Sequence, residues 1–415
     1  MSFSTALSGL DAASQNLDVI GNNVANASTV GFKEGEALFS DIYANSMSGS
    51  GNNQIGMGTR VTGVEQQFTQ GDPTVTNQSL DLAINGNGLF RLNDNGTTVY
   101  SRNGQFQLDK NGYIVNANGD RLTGYGANTT GVINSVSPQD LQIPTGYIAP
   151  MATSTIAGQF NLDSRTAAIP STTAFNPADT TTYTNGTSVN VYDSLGNQHS
   201  VNLYFVNRGP DPVTGLGTWN VYGTIDGSTP IGTAPGLIDT LQFNTAGGLA
   251  SGGGPITLPT ISYGNGSSSV SNMTLTLNGT TQYGSTYAVN ALQPNGYATG
   301  QLSGFTIGTD GIITGTYSNG QSATLGQVAL ANFNNPQGLV PTGNNAWVES
   351  ATSGAPKVGV PGSSNLGSLQ SGAVESSNVN LTAELVNMIT AQRNYQANAQ
   401  TIKTENQLVQ TLVNL

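Results

Sequence analysis

The sequence predicts a mainly β protein with α-helices only at its two ends. Its β domains are nested, two of them standing outside a coiled-coil-like helical base formed by both termini. Three observations carry this reading. Apolar residues recur every seven positions at both ends and nowhere between. Inside, short alternating runs are punctuated by Asn-Gly dipeptides roughly eight residues apart, the turn signal of successive hairpins. From about Tyr147 to Tyr287 the composition shifts to Thr, Ser, Gly and Pro, and beyond it the Asn-Gly pattern resumes, as happens where one domain interrupts another.

At the N-terminus, Phe3, Leu10, Leu17 and Val24 repeat every seven residues, with Ala6, Ala13 and Ile20 three places later. A 3.5-residue period is that of helices that supercoil with partners. The small Ala6 and Ala13 admit a close neighbour. Gly21 costs about 1 kcal/mol against Ala in a helix, and Gly31 is a plausible stop or turn residue. At the C-terminus Asn380 suits an N-cap, and Glu384 favours the first turn through the helix dipole. Leu385, Met388, Tyr395, Ile402 and Val409 continue the seam, with polar Gln392 and Asn406 on it. The two seams are read as subunit-interface residues.

Residues 29–71 and 364–379 read as connectors with little core, Gly49 to Asn53 being a flexible loop and Val61 to Phe68 extended. Residues 72–146 and 288–363 form the inner β domain. Leu80, Leu82 and Ile84 alternate there, and turns are expected at Asn95-Gly96, Asn103-Gly104, Asn111-Gly112, Asn118-Gly119 and Asn319-Gly320. Residues 147–287 form the inserted outer β domain, a sandwich or barrel. Its alternating runs are Val189 and Val191; Val201, Leu203 and Phe205; Trp219 and Val221; Met273, Leu275 and Leu277.

Composition narrows the chemistry. The chain has 415 residues, 54 of them Gly, only 8% charged, with net charge −12 and no Cys. Eleven basic residues spread thinly give no stripe for phosphate neutralisation, which argues against nucleic acid as a partner. Cys nucleophiles, disulfides and thiolate metal sites are excluded. No apolar run is long enough to insert in a membrane, and no basic residue precedes Lys33, so a secretory signal peptide is not expected. The single histidine, His199, sits in a predicted turn and reads as structural. Asp109-Lys110-Asn111-Gly112 lacks the ligand pattern of a calcium loop and reads as an Asx turn. No phosphate loop, nucleophile elbow or distinguished carboxylate pair is present, so neither enzyme activity nor any cofactor or metal is expected. The N-terminal helix carries only Asp11 and Asp18 as charges, which suggests a surface packed against other subunits or lining a channel.

The run Asn22-Asn23-Val24-Ala25-Asn26-Ala27-Ser28-Thr29-Val30-Gly31-Phe32-Lys33 resembles the N-terminal motif of bacterial flagellar rod, hook and hook-associated proteins. Glu375 to Val379, Glu384 to Ile389, and Ala391-Gln392-Arg393-Asn394-Tyr395 through Asn398 are similar to that family's C-terminal motif. Leu80 to Phe90, and Tyr100-Ser101-Arg102-Asn103-Gly104 through Tyr125, resemble its first β domain. Length and the insertion favour the hook branch over a distal rod or hook-associated protein. The resemblance implies a self-assembling, flexible tubular polymer outside the cell that carries motor torque to the filament as a universal joint. Its implied partners are copies of itself, rod and hook-associated proteins at the ends, the export apparatus and a hook cap. The rival from another class is a secreted glycan-binding adhesin or enzyme built on 147–287. With unpaired seams in the monomer, proteolysis is expected to leave a fragment of roughly residues 70–360.

Overall fold

The computed structural model describes residues 3–42, 56–128, 131–227 and 229–413. They fall into two compact units. The first holds the described residues of Met1–Thr145, Ser303–Thr316 and Ser322–Leu415; the second holds those of Gly146–Leu302 and Tyr317–Gln321.

Two α-helices, α1 (Phe3–Ala25) and α2 (Leu381–Val413), are the only ones among the described residues, and the rest of the fold is β. Gly21 does not interrupt α1. Asn380 caps α2 as expected, its Oδ1 accepting from the Ala383 N–H at 3.1 Å. Gly31 takes φ +71°, and a Cβ there would lie 2.5 Å from the Asn103 nitrogen, so both backbone angle and space require glycine.

The N-terminal connector holds more structure than its sequence suggests. Gly35–Asp41 and Thr59–Gln66 form an antiparallel hairpin. The first strand carries no pattern signal because its consecutive apolar residues Leu38 and Phe39, where the register shifts, are both exposed. The loop expected at Gly49 to Asn53 lies outside the described residues.

In the first unit, strands on both sides of the insertion share one sheet. Ser322–Val328 pairs with Arg121–Gly126, Leu330–Asn332 with Leu89–Asp94, and Ala346–Val348 with Thr97–Ser101. Leu89, Tyr100, Ala331, Phe333, Leu339 and Trp347 pack together over this join. Asn95 and Gly96 both have positive φ, as a type I′ turn needs. At Asn111-Gly112 and Asn118-Gly119 only the glycine does, with bonds from Gly112 N–H to Asp109 and Gly119 N–H to Asn116 closing longer loops. Asn103-Gly104 is not such a turn: neither residue has positive φ, and a Cβ on Gly104 would meet the Leu82 carbonyl at 1.7 Å. That glycine serves close strand approach instead.

The second unit is a sandwich. One sheet runs Asn185–Tyr192, Gln198–Pro210, Gly217–Ile225, Leu237–Phe243, Leu249–Ser251; the other runs Ile256–Thr257, Thr274–Thr276, Thr155–Asn161, Ala288–Pro294. Every residue of the alternating runs is buried in one core with Phe160 and Phe243. Ala288–Pro294 pairs with Thr155–Asn161 and so belongs to this unit. A domain boundary at residue 287 therefore stops one strand short, because that strand's half-buried sequence shows no clean alternation.

Burial pushes the phenols of Tyr263 and Tyr287 in this unit up to about 12. A folded pKa above the unfolded value of about 10 means stability is complete below pH 10 and is lost as pH rises from there through 12. The unit is expected to unfold in that alkaline window, and Tyr287→Phe to move the midpoint upward. Trp219 fluorescence in a Trp347→Phe background, which isolates the second unit's tryptophan, reads both.

Candidate assembly surface and its anchoring junction

The two helices pack on each other, and small residues decide how. Asn23 Nδ2 donates to Glu384 Oε2 at 3.0 Å, while a Cβ on Gly9 would come within 2.9 Å of the Asn398 amide. Early α1 thus meets later α2, which makes the pair antiparallel. Ala6, Ala12, Ala13 and Ile20 of α1 and Ala391 of α2 are buried. Apart from Ile20, the bulky seam residues are not. Phe3, Leu385, Tyr395 and Val409 are exposed, and Leu10, Leu17, Val24, Met388 and Ile402 are half-buried.

The heptads present the seam of α1 as a match for that of α2; within one chain Phe3, Leu385, Tyr395 and Val409 stay exposed and do not supply that contact. Small residues allow the closest approach between the helices, and several large side chains are left outward. Leu7, Leu381, Val386, Ile389 and Leu408 extend this exposed apolar surface. With 33 residues in α2 against 23 in α1, and Gly9 opposite Asn398, the last turns of α2 run past Phe3.

The motif residues just after α1 converge on a junction. Asn22 Oδ1 and carbonyl accept from Asn26 Nδ2, and Asn26 Oδ1 accepts from Thr29 Oγ1, which closes the chain reversal. Asn23 acts like a strand neighbour of Gly35, its Oδ1 accepting from Gly35 N–H at 2.9 Å and its Nδ2 donating to Gly35 carbonyl at 2.8 Å. Glu384 is held between Asn23 and Asn387. Asn378 ties the two connectors, accepting from Glu34 N–H and donating to Gln67 carbonyl and Thr69 Oγ1.

At the centre lies Glu375. Its Oε1 accepts from Lys33 Nζ at 2.6 Å and Gly71 N–H at 2.9 Å; its Oε2 accepts from Arg102 Nε at 2.5 Å. Lys33 also donates to the Thr69 carbonyl, and Arg102 to the carbonyls of Gly88, Ile84 and Gly86. The side chains of Lys33, Arg102 and Glu375 are 1%, 6% and 1% exposed. Burial pulls Lys33 below the ordinary lysine range and Arg102 adds to it, against the pull of Glu375. Phe32, next to Lys33 in sequence, is half-buried, whereas Arg393, Asn394 and Tyr395 of α2 are exposed. In sequence the three charged residues stand in separate motifs, and no spacing joins them. The available signal was scarcity: charges this rare in a chain are seldom incidental.

Four family models match. They are the flagella basal body rod protein over residues 3–33, the flagellar hook protein FlgE/F/G D1 domain over 83–159, the flagellar basal body protein FlaE D2 domain over 161–297, and the flagellar basal body rod FlgEFG protein C-terminal region over 370–415. The chain is 47% identical to the flagellar hook protein FlgE of Salmonella typhimurium over the whole of both chains, and 44% identical to that of Escherichia coli K12 over the same extent. The chain belongs to the flagellar hook protein family. The hook protein of Borreliella burgdorferi is 34% identical over 99% of this chain and 98% of its own. A crystal structure of Helicobacter pylori flagellar hook protein FlgE2 matches in fold with TM-score 0.50 at 15% identity, covering 72% of this chain and 99% of that one.

Hook proteins are structural, not enzymatic. His199 fits that reading. Its Nδ1 lies 2.8 Å from Asp226, its ring stacks on Tyr263, and the adjoining turn is held by Asp193, which accepts from Leu195 and Asn197 N–H. Asp109 likewise accepts from Asn111 and Tyr113 N–H, an Asx turn.

The node generates a test. Glu375→Gln removes the charge that pairs two buried cations, which costs about 3–5 kcal/mol where a buried pair is broken. Urea unfolding followed by Trp347 in a Trp219→Phe background measures it, since the Trp347 indole N–H donates to Gln66 of the connector hairpin. The node also revises the expected proteolytic fragment. Wild-type trimming stops near residues 31 and 379, and in Glu375→Gln it retreats toward 70 and 360, as terminal sequencing and mass spectrometry would report.

Proposed function

We propose that this chain is the structural subunit of the flagellar hook and polymerises with copies of itself into a flexible tube. The observation that carries this is the exposed bulky face of both terminal helices, in a chain that matches hook proteins from end to end. A contact between different surfaces of identical subunits does not close on itself and grows a helical filament. The seam residues Phe3, Leu10, Leu17, Val24, Leu385, Met388, Tyr395, Ile402 and Val409 make that contact, and the helices form the inner tube. Each apolar side chain moved from water into such an interface contributes about 1.5–3 kcal/mol.

In this reading the subunit leaves the cell through the flagellar export apparatus without a cleaved signal peptide and is added under a hook cap. It joins the rod at one end of the tube and hook-associated proteins at the other, and passes motor torque to the filament as a universal joint. No helix among the described residues is long and apolar enough to cross a membrane. Full-length correspondence with hook proteins favours this over a rod or hook-associated role.

Leu385→Asp and Val409→Asp alter side chains that are exposed in the single chain. Both variants are expected to keep the β units folded by circular dichroism while electron microscopy under polymerising conditions shows no tubes. Leu17→Asp and Ile402→Asp are expected to do the same. Normal tubes from Leu385→Asp and Val409→Asp together would remove these residues from the interface.

A further inference from the structure

Beside the node, within the first unit, is a cavity of about 120 Å³ lined by Lys33, Arg102, Gln70, Phe68, Leu89 and Phe333 among others. Two features of its wall point to a ligand. The first is charge. Lys33 and Arg102 are both more than nine-tenths buried, and among the described residues their only ion-pair partner is the single carboxylate of Glu375. The node therefore carries two positive charges against one negative, a net charge that burial penalises strongly.

The second is unused hydrogen-bonding capacity. Lys33 Nζ donates to Thr69 and Glu375, which leaves one of its three N–H groups over. Arg102 uses four of its five N–H groups on Glu375, Gly88, Ile84 and Gly86. Gln70, an exposed residue of the lining, accepts at its Oε1 from Gly86 N–H. The lining thus combines donors and positive charge from Lys33 and Arg102 with the apolar side chains of Phe68, Leu89 and Phe333.

We propose that this cavity is a binding site for a small monocarboxylate, its oxygens taken by Lys33 and Arg102 and its apolar end set against Phe68, Leu89 and Phe333. One negative charge balances the node, and the volume exceeds that of a lone ion. The bound anion replaces the missing fourth charge and tightens the junction between connectors and β unit. The inference rests on the junction alone and is independent of assembly.

The test titrates full-length monomer with sodium propionate at constant ionic strength and pH 7, read by saturation-transfer NMR on the ligand. Saturable millimolar binding is expected, with the neutral isostere propionamide and with chloride weaker by about tenfold or more, as loss of a charged hydrogen bond implies. Lys33→Met abolishes it. Phe333→Ala leaves the ion pairs intact and enlarges the apolar end, so it shifts preference from propionate toward benzoate and carries the test if Lys33→Met does not fold. Equal response to propionate and propionamide, displacement of propionate by equimolar chloride, or unchanged selectivity in Phe333→Ala would each overturn the proposal.

Discussion

The carboxylate of Glu375 is the point on which the first unit depends. It joins Lys33 across 342 residues of chain and Arg102 across 273. Breaking even so long a loop changes closure entropy only slowly with length, so the node's worth lies in geometry more than in distance spanned. Buried ion pairs are often no more stabilising than apolar residues of the same shape. What they impose is a single arrangement, because every other arrangement strands a charge. Here that arrangement fixes the pairing of Pro73–Val75 with Ala373–Glu375 and the reversal at Gly31, whose N–H donates to the Glu375 carbonyl. The helices are aimed by what the node holds in place.

From that anchoring follows a division of labour by residue size. Alanines and Gly9 serve the contact between α1 and α2, where closeness is available only to small side chains. Ile20 joins them in the interior, whereas Phe3, Leu385, Val386, Ile389, Leu408 and Val409 stay on the outside. A helix pair built the other way round, with bulky residues inward, would make a more self-sufficient monomer and a poorer building block. Asn23 and Glu384 set the register between the helices, a role that a polar pair performs better than another apolar contact.

Much of the fold is legible in the sequence where local periodicity and burial coincide. Val201, Leu203 and Phe205 alternate in sequence and are all buried, and Asn95-Gly96 adopts the turn its residues favour. The same dipeptide at Asn103-Gly104 does something else, because a glycine that admits a neighbouring carbonyl looks identical in sequence to one that turns the chain. Strands at Gly35–Asp41 and Ala288–Pro294 show no single apolar face, so pattern cannot find them. The node is invisible for a different reason. Pairing of Lys33, Arg102 and Glu375 is a property of the folded chain, with no spacing that announces it. The heptads tell of partners without saying which face meets which; the alanine contact within the chain settles only half of that.

The same sparing use of charge bears on how subunits with net charge −12 can come together. Exposed like charges repel over a range of about 8 Å at physiological salt. In α1 the only charges are Asp11 and Asp18, and in α2 Glu384 with Glu405 is balanced by Arg393 with Lys403. The exposed apolar faces of the two helices thus carry only a small part of the chain's net charge. Ser, Thr, Asn and Gln fill the remaining positions, and neutral polar groups cost far less to bury than ions when their hydrogen bonds can be met by a neighbour. Low charge across the helices therefore suits the assembly proposed above, whereas the three charges buried at the junction are held by pairing with one another.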